Sequence, residues 1–157
     1  MYNVQALDEI DLKIINSLKK NSRASTSEIS RQINLSVPAV SERIRKIEQS
    51  NLIQKYTIQI NREKTKYKLL AFIFINTDLS KSMKEFKKTI LEYDTVLECH
   101  HISGEYDYLI KVLAEDTSNL EEFISVTLKE IGGIQKANTT IVLSTIKEEF
   151  NTIKDIF

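Results

Sequence analysis

Two helix starts in close succession constrain this chain more than any other feature. Ser25-Thr26-Ser27-Glu28 is a capping box: a serine hydroxyl accepts one orphan N–H and the glutamate reaches back to the serine amide. The helix it begins puts Ile29 and Ile33 on one face and stops near Asn34-Leu35. Ser36 then caps another helix, with Pro38 in the first turn, where its missing N–H costs little. That helix carries Val37, Val40, Ile44 and Ile47 on one stripe and ends around Ser50-Asn51. Two short helices joined by about three residues, the second capped and basic, form a helix-turn-helix. A helix capped by Asp8, with Asp11 in its opening turn, precedes them and adds Leu7, Ile10, Ile14, Ile15 and Leu18 to the apolar side. Asn21 to Ala24 reads as a loop.

Helical periodicity of about 100° per residue fixes the outer face of the third helix. With the apolar stripe inward, Pro38, Ala39, Glu42, Arg45 and Lys46 point away, and Ser41 and Arg43 lie on the flanks. A helix that reads duplex DNA needs this mixture: short residues near its N-terminus for close approach to base edges, cations further along for phosphates and guanine. The candidate DNA contacts are therefore Ser36, Pro38, Ala39, Ser41, Glu42, Arg43, Arg45 and Lys46. Glu42 has two readings, acceptor from a cytosine amino group or intrahelical partner of Arg45 or Lys46, and the second is favoured. The net charge of zero conceals a division of sign. Residues 1–68 hold 13 Lys/Arg against 7 Asp/Glu, and residues 69–157 hold 9 against 15. A basic binding module joined to an acidic partner domain has this pattern, as does chance clustering of solvated charge; double-stranded DNA is the partner favoured for the basic helical unit, the alternative being a plain protein-interaction module.

The segment from Ile53 to Ile60 alternates and reads as a strand leaving the helical unit, and Asn61 to Lys66 is a charged connector. The expected division is a helix-turn-helix domain over 1–60, a linker over 61–68 and a second domain over 69–157. The second domain opens on Leu69 to Ile75 (LLAFIFI), an almost continuous β-prone apolar run. A helix over Ser80 to Tyr93 follows, then strands Val96 to Ile102 and Tyr106 to Ala114 joined by a turn at Ser103-Gly104-Glu105. A second helix runs from Thr117 through Leu128, Gly132-Gly133 ends it, and Ile134 to Ile146 supplies a last strand. The order β-α-β-β-α-β is that of a ferredoxin-like domain, an antiparallel sheet with both helices on one face. The fold class is thus α+β, a helix-turn-helix followed by a ferredoxin-like βαββαβ sandwich. Apolar residues on both sides of the strands call for a second sheet against the open face, which a homodimer supplies.

Three long stretches, LDEIDLKIINSLKKNSRAS, LSVPAVSERIRKIEQSNLIQKYT and ECHHISGEYDYLIKV, resemble the Lrp/AsnC family of feast/famine regulators in order and spacing. The resemblance runs from Leu7 to about Glu149. It implies a DNA-binding transcriptional regulator in which a winged helix-turn-helix is joined to a ferredoxin-like sensor domain that dimerises and assembles further, to octamers or similar rings. It also implies a small-molecule effector, typically an amino acid, in a cleft between neighbouring subunits. The family's G-[DE]-[YF]-D-Y turn corresponds to Gly104, Glu105, Tyr106, Asp107 and Tyr108, and position suggests Thr139 and Thr140 on the last strand as further contacts. Glycine lets backbone approach a ligand, the two carboxylates can hold an ammonium, and the tyrosines offer an apolar wall with a polar tip. A plain hairpin turn with solvated acids accounts for the same residues.

Other chemistry finds no foothold. On a strand, Cys99 and His101 share one face and His100 takes the other, so at most two metal ligands converge; a buried thiol beside partly exposed imidazoles is expected instead. No nucleophile–base constellation, GxxxxGK loop or GxGxxG is present, so neither an enzyme nor a cofactor is expected. No run of 18 apolar residues suggests a membrane span. The N-terminus lacks a signal-peptide pattern and there is one cysteine, which together point to the cytoplasm. The alternative to an effector-modulated regulator is an architectural DNA-compacting oligomer that senses no amino acid.

Overall fold

The computed structural model describes residues 7–78, 83–130 and 132–149. The chain forms two compact units, one of residues up to Gln59 with the segment from Lys147, the other of Ile60–Ile146. The expected second domain ran to the C-terminus. In the structure residues 147–149 group with the helical unit, where Lys19 Nζ lies 3.7 Å from Glu149.

The helical unit contains α1 (Glu9–Lys20), α2 (Thr26–Ile33) and α3 (Val37–Gln49). Each begins where a side chain takes up orphan N–H groups. Asp8 Oδ1 accepts from the amides of Ile10 and Asp11 at 2.9 and 2.8 Å, and Asp11 Oδ2 accepts from the Asp8 amide at 3.1 Å. Ser25 Oγ accepts from the Glu28 amide at 3.2 Å, and Glu28 Oε2 accepts from the Ser25 amide at 2.7 Å. Ser36 Oγ accepts from the Ala39 amide at 3.4 Å. These contacts hold the Asp8 and Glu28 carboxyls below their usual range, in each case chiefly through the backbone amide. Asn34 ends α2 in the left-handed region (φ 55°, ψ 45°), which Asn tolerates because its short side chain bonds locally, and this turns the chain sharply into α3. Ile14, Ile15, Leu18, Ile29, Val40 and Ile47 form the buried core. Val37, expected on the apolar stripe, is 40% exposed because it occupies the first helical position, at the edge of that core.

The strand expected over Ile53 to Ile60 is not formed, and the described helical unit has no wing strand. Alternation specifies two faces but supplies no ladder partner, and Ile58 and Ile60 are 75% and 64% exposed. Tyr56 of this segment donates its hydroxyl to Glu48 Oε1 at 2.8 Å; lost solvation, then Glu48, pushes its pKa up to about 12.

The second unit runs β1 (Leu69–Thr77), α4 (Met83–Glu92), β2 (Val96–His101), β3 (Tyr108–Ala114), α5 (Thr117–Glu122, continuing as a π-helix over Phe123–Leu128) and β4 (Ile134–Ile141). The expected start of α4 at Ser80 lies outside the described residues. The third strand begins at Tyr108 and the last ends at Ile141, both shorter than expected, with the Val142 amide making one further bond to Leu70 O at 2.9 Å. The sheet order is β2-β3-β1-β4 and its pairs are antiparallel, the ferredoxin-like arrangement. Register divides the residues cleanly. Ala71, Ile73 and Ile75 of β1 and Ile110, Val112 and Ala114 of β3 face Phe86, Ile90, Leu120, Phe123 and Leu128 of the helices. The π-helical turn bonds i to i+5, which is the spacing that brings both Phe123 and Leu128 into the core and leaves Ile124 half-buried.

The opposite face carries Leu70, which is buried, and Phe72, Phe74, Leu109 and Leu113, all half-buried, and α4 and α5 do not cover it. Lys111 lies among them, 8% exposed, with Nζ 3.1 Å from Glu98 Oε1, opposite it in register. Burying an ammonium this deeply requires such a partner.

The helical core is small, so each member matters. Ile14, fully buried, predicts a loss of about 2–5 kcal/mol for Ile14→Ala and about 0.5–1.5 kcal/mol for Ile14→Val in denaturant unfolding. Equal losses for the two variants would contradict close packing at this position.

Candidate nucleic-acid interface and effector turn

The outer side of α3 is a free surface on a fixed helix. Val40 and Ile47 anchor its inner side, while Ser36, Pro38, Ser41, Glu42, Arg45 and Lys46 are exposed and Ala39 is half-buried. Glu42 takes the role favoured above. Its two oxygens accept from Arg45 Nε and Nη2 at 2.8 and 2.6 Å, and Lys46 Nζ lies 3.9 Å away. Arg45 Nη1 also donates to Gln49 Oε1 at 2.7 Å. The guanidinium holds the Glu42 carboxyl below its usual range, and Arg45 is correspondingly raised. These pairs are exposed and screened by solvent, so a phosphate can displace them at small cost. Arg43 is placed differently. Its Nη1 donates to Asp8 Oδ2 at 2.7 Å and Asp11 Oδ1 at 2.6 Å, tying the flank of α3 to the start of α1.

The turn between β2 and β3 is stapled to the end of β1. The Ile102 amide donates to Asp107 O and the Asp107 amide to Ile75 O, both at 2.9 Å. Asp107 Oδ2 accepts from the amide and hydroxyl of Thr77 at 2.7 and 3.1 Å. Gly104 has φ +145°, which an L side chain rarely adopts, and no atom within 4 Å of where a Cβ would sit. Glu105 pairs with Lys136 Nζ at 3.1 Å, and that ammonium lies 5.0 Å over the Tyr106 ring. Tyr106 packs on Phe74 at 5.4 Å between ring centres and accepts from Asn138 Nδ2 at 3.2 Å.

The structure therefore brings together only part of the expected effector set. Gly104, Glu105 and Tyr106 cluster at the rim of the uncovered sheet face, and Thr140, in register with Phe72, shares that face. Tyr108 is buried on the helix side against Phe86 and His101, and Thr139 shares that side in register with Ile73. Asp107 is occupied by Thr77. Sequence reasoning missed Lys136 and Asn138. Their signal was available: Lys136, Asn138 and Thr140 alternate, so one strand face presents all three.

Cys99 is exposed, not buried as expected, because β2 is an edge strand; desolvation nonetheless holds its thiol above the usual range. Register puts Cys99 and His101 on the helix side and His100 on the other. Among the described residues no three metal-ligating side chains gather, and no helix is long and apolar enough to cross a membrane.

Comparison with known proteins matches both halves of the chain. Residues 7–48 match the AsnC-type helix-turn-helix domain, and residues 70–152 match the Lrp/AsnC ligand binding domain. The HTH-type transcriptional regulator FL11 of Pyrococcus abyssi is 35% identical over 143 residues, covering 91% of this chain and 93% of its own. The leucine-responsive regulatory protein of Escherichia coli is 32% identical over 144 residues, covering 90% and 88%. A transcriptional regulator from Neisseria meningitidis, solved in complex with L-Met, superimposes with a TM-score of 0.92 at 27% identity, covering 96% of this chain and 98% of that one.

The hydrogen bonds of the turn separate two neighbouring acids. Asp107→Ala should destabilise the protein by about 1–3 kcal/mol in denaturant unfolding, since it strands the Thr77 donors. Glu105→Ala, which removes an exposed and solvent-screened pair, should cost clearly less than Asp107→Ala. The reverse order would contradict the assignment of Asp107 as the staple.

Proposed function

Because the chain belongs to the Lrp/AsnC family of transcriptional regulators, we propose that it is a sequence-specific DNA-binding regulator modulated by an amino acid. One surface carries the first half of this reading. On α3 the exposed residues Ser36, Pro38, Ser41, Glu42, Arg45 and Lys46, with Ala39, present short side chains at the capped N-terminus and cations further along, opposite a buried anchor. Ser36 contributes through its place at the helix start, its hydroxyl being engaged in the cap.

The effector reading rests on the ferredoxin-like unit's polar rim and on the L-Met complex of the Neisseria relative. A zwitterionic amino acid carries the two charges that Glu105 and Lys136 now give each other. Its ammonium goes to Glu105 and its carboxylate to Lys136, exchanging one exposed pair for two. Tyr106 supplies the apolar wall, Gly104 the open backbone and Thr140 a hydroxyl on the same face. Tyr108, Thr139 and Asp107 belong to the frame of the site. The uncovered sheet face, with Phe72, Phe74, Leu109 and Leu113, and the exposed Leu143 and Ile146 beyond β4 suit a homodimer. Further assembly to an octamer or similar ring would bring the turns of neighbouring chains together, and the cytoplasm is the compartment in which this regulator works. No catalytic role and no cofactor enter this reading.

One observation favours the architectural alternative: Glu105 and Asp107 both have partners inside the chain, so the turn is complete without a ligand.

Two measurements test the proposal. Replacing both Arg45 and Lys46 with Ala should lower the slope of log affinity against log salt by roughly two units on duplex DNA. An unchanged affinity and slope would move the DNA contact to another surface. An effector at a hundredfold excess over its Kd should add about 2.7 kcal/mol, visible as a raised Tm, and Glu105→Gln should abolish the rise. If none of the twenty common amino acids changes the Tm, the oligomeric state or DNA affinity, the architectural reading replaces the sensor.

A further inference from the structure

The contacts of Asp8, Asp11 and Arg43 divide four carboxylate oxygens between two tasks. Asp8 Oδ1 caps α1 through the amides of Ile10 and Asp11, and Asp11 Oδ2 completes the cap through the Asp8 amide. The other oxygen of each, Asp8 Oδ2 and Asp11 Oδ1, accepts from the same nitrogen, Arg43 Nη1. The cap is thus what aims both remaining oxygens at α3. The Asp11 side chain is 16% exposed and that of Arg43 30%, so the Asp11 arm of the clamp is more sheltered than the Glu42–Arg45 pair on the outer face, while Asp8, at 51%, is as open as that pair. Both Asp11 and Asp8 hold the guanidinium above its usual pKa, Asp11 foremost.

We propose that Arg43 is a positioning residue that sets the roll of α3 against α1, and not one of the DNA contacts. Arg43 stands between Val40 and Ile47 along α3, beside the buried stripe. Apolar packing there resists separation of the helices more than rotation about the axis, since Ile and Val contacts are non-directional. Two charge-assisted hydrogen bonds to a fixed cap supply the missing direction. The magnitude makes the distinction matter. On a helix about 5–6 Å in radius, a roll of about 20° moves the tips of Glu42, Arg45 and Lys46 by about 2 Å. Hydrogen bonds to base edges fail over such a distance, whereas attraction to phosphate, which falls off over about a Debye length, does not. The clamp therefore sets sequence discrimination and leaves non-specific affinity nearly unchanged.

This inference rests on the reading of α3 as the DNA-contacting helix, and the test separates the two. The full-length protein is titrated with a duplex selected from a random pool by the wild type, and with a scrambled duplex of equal length. The variants are Arg43→Gln, Asp11→Asn, their combination, and Arg45→Ala with Lys46→Ala. Arg43→Gln and Asp11→Asn should each weaken the selected duplex at least tenfold, with the combination within twofold of Arg43→Gln alone. The scrambled duplex should change less than threefold and the salt slope not at all. A fall in slope of roughly 0.9 in Arg43→Gln, with Asp11→Asn binding as well as the wild type or better, would make Arg43 a phosphate contact and overturn the proposal. So would equal losses on both duplexes. Should Arg43→Gln fail to fold by circular dichroism, Arg43→Lys and Asp11→Asn carry the same comparison, the lysine keeping the charge while losing the planar geometry. If the Arg45/Lys46 variant binds the selected duplex as the wild type does, the DNA-contacting reading of α3 falls and this inference with it. If that variant weakens binding while Arg43→Gln does not, the positioning role alone fails.

Discussion

Strand β1 is hydrogen-bonded along both edges, to β3 and to β4, and the second unit takes its geometry from that pairing. Its odd-numbered residues, Ala71, Ile73 and Ile75, are fully buried beneath α4 and α5, so a one-residue slip would exchange them for Phe72 and Phe74. The end of the same strand carries Thr77, whose amide and hydroxyl hold Asp107. The register that fills the core therefore also fixes the turn bearing Glu105 and Tyr106. A β4 paired to the other edge brings Lys136 and Asn138 alongside. Packing, turn geometry and the charge pair at the rim are consequences of one strand's placement.

The helical unit is organised differently. Among the described residues its buried core is six aliphatic side chains, too few to define helix ends by packing alone. Definition comes from Asp8, Ser25 and Ser36, each of which removes orphan donors at a helix start, and from Asn34, which turns the chain in the left-handed region. Because the cap of α1 also receives Arg43, a local end-of-helix device extends into a contact between helices distant in sequence. A basic outer face can then be presented by a helix with little apolar surface to spare.

Local chemistry was legible in the sequence. The caps at Asp8, Ser25 and Ser36, the Glu42 pair and the βαββαβ order each depend on neighbours within a few residues or on period alone. Long-range partnership was not. The Ile53 to Ile60 alternation looked like a strand because pattern carries no information about who completes the ladder. Arg43 read as a flank cation because nothing near it in sequence names Asp8 and Asp11. At Asp107 and Tyr108 the motif preserves residue types, while long-range pairing decides that Tyr108 faces the core and Asp107 meets Thr77. Lys136 and Asn138 escaped notice for the converse reason: they meet Glu105 and Tyr106 only when β4 is laid beside β1.

The central claim is that the outer face of α3 discriminates among DNA sequences. Repeated selection of random duplexes by the purified full-length protein, followed by sequencing of the bound pool, tests it most directly. The account predicts enrichment of a motif of two related half-sites, centred about 10–10.5 base pairs or a multiple apart, bound at least about a thousandfold more tightly than scrambled duplex at physiological salt. A pool that remains random while the protein still binds every duplex with the same salt-dependent affinity would contradict it, and would leave a protein that coats DNA without reading it.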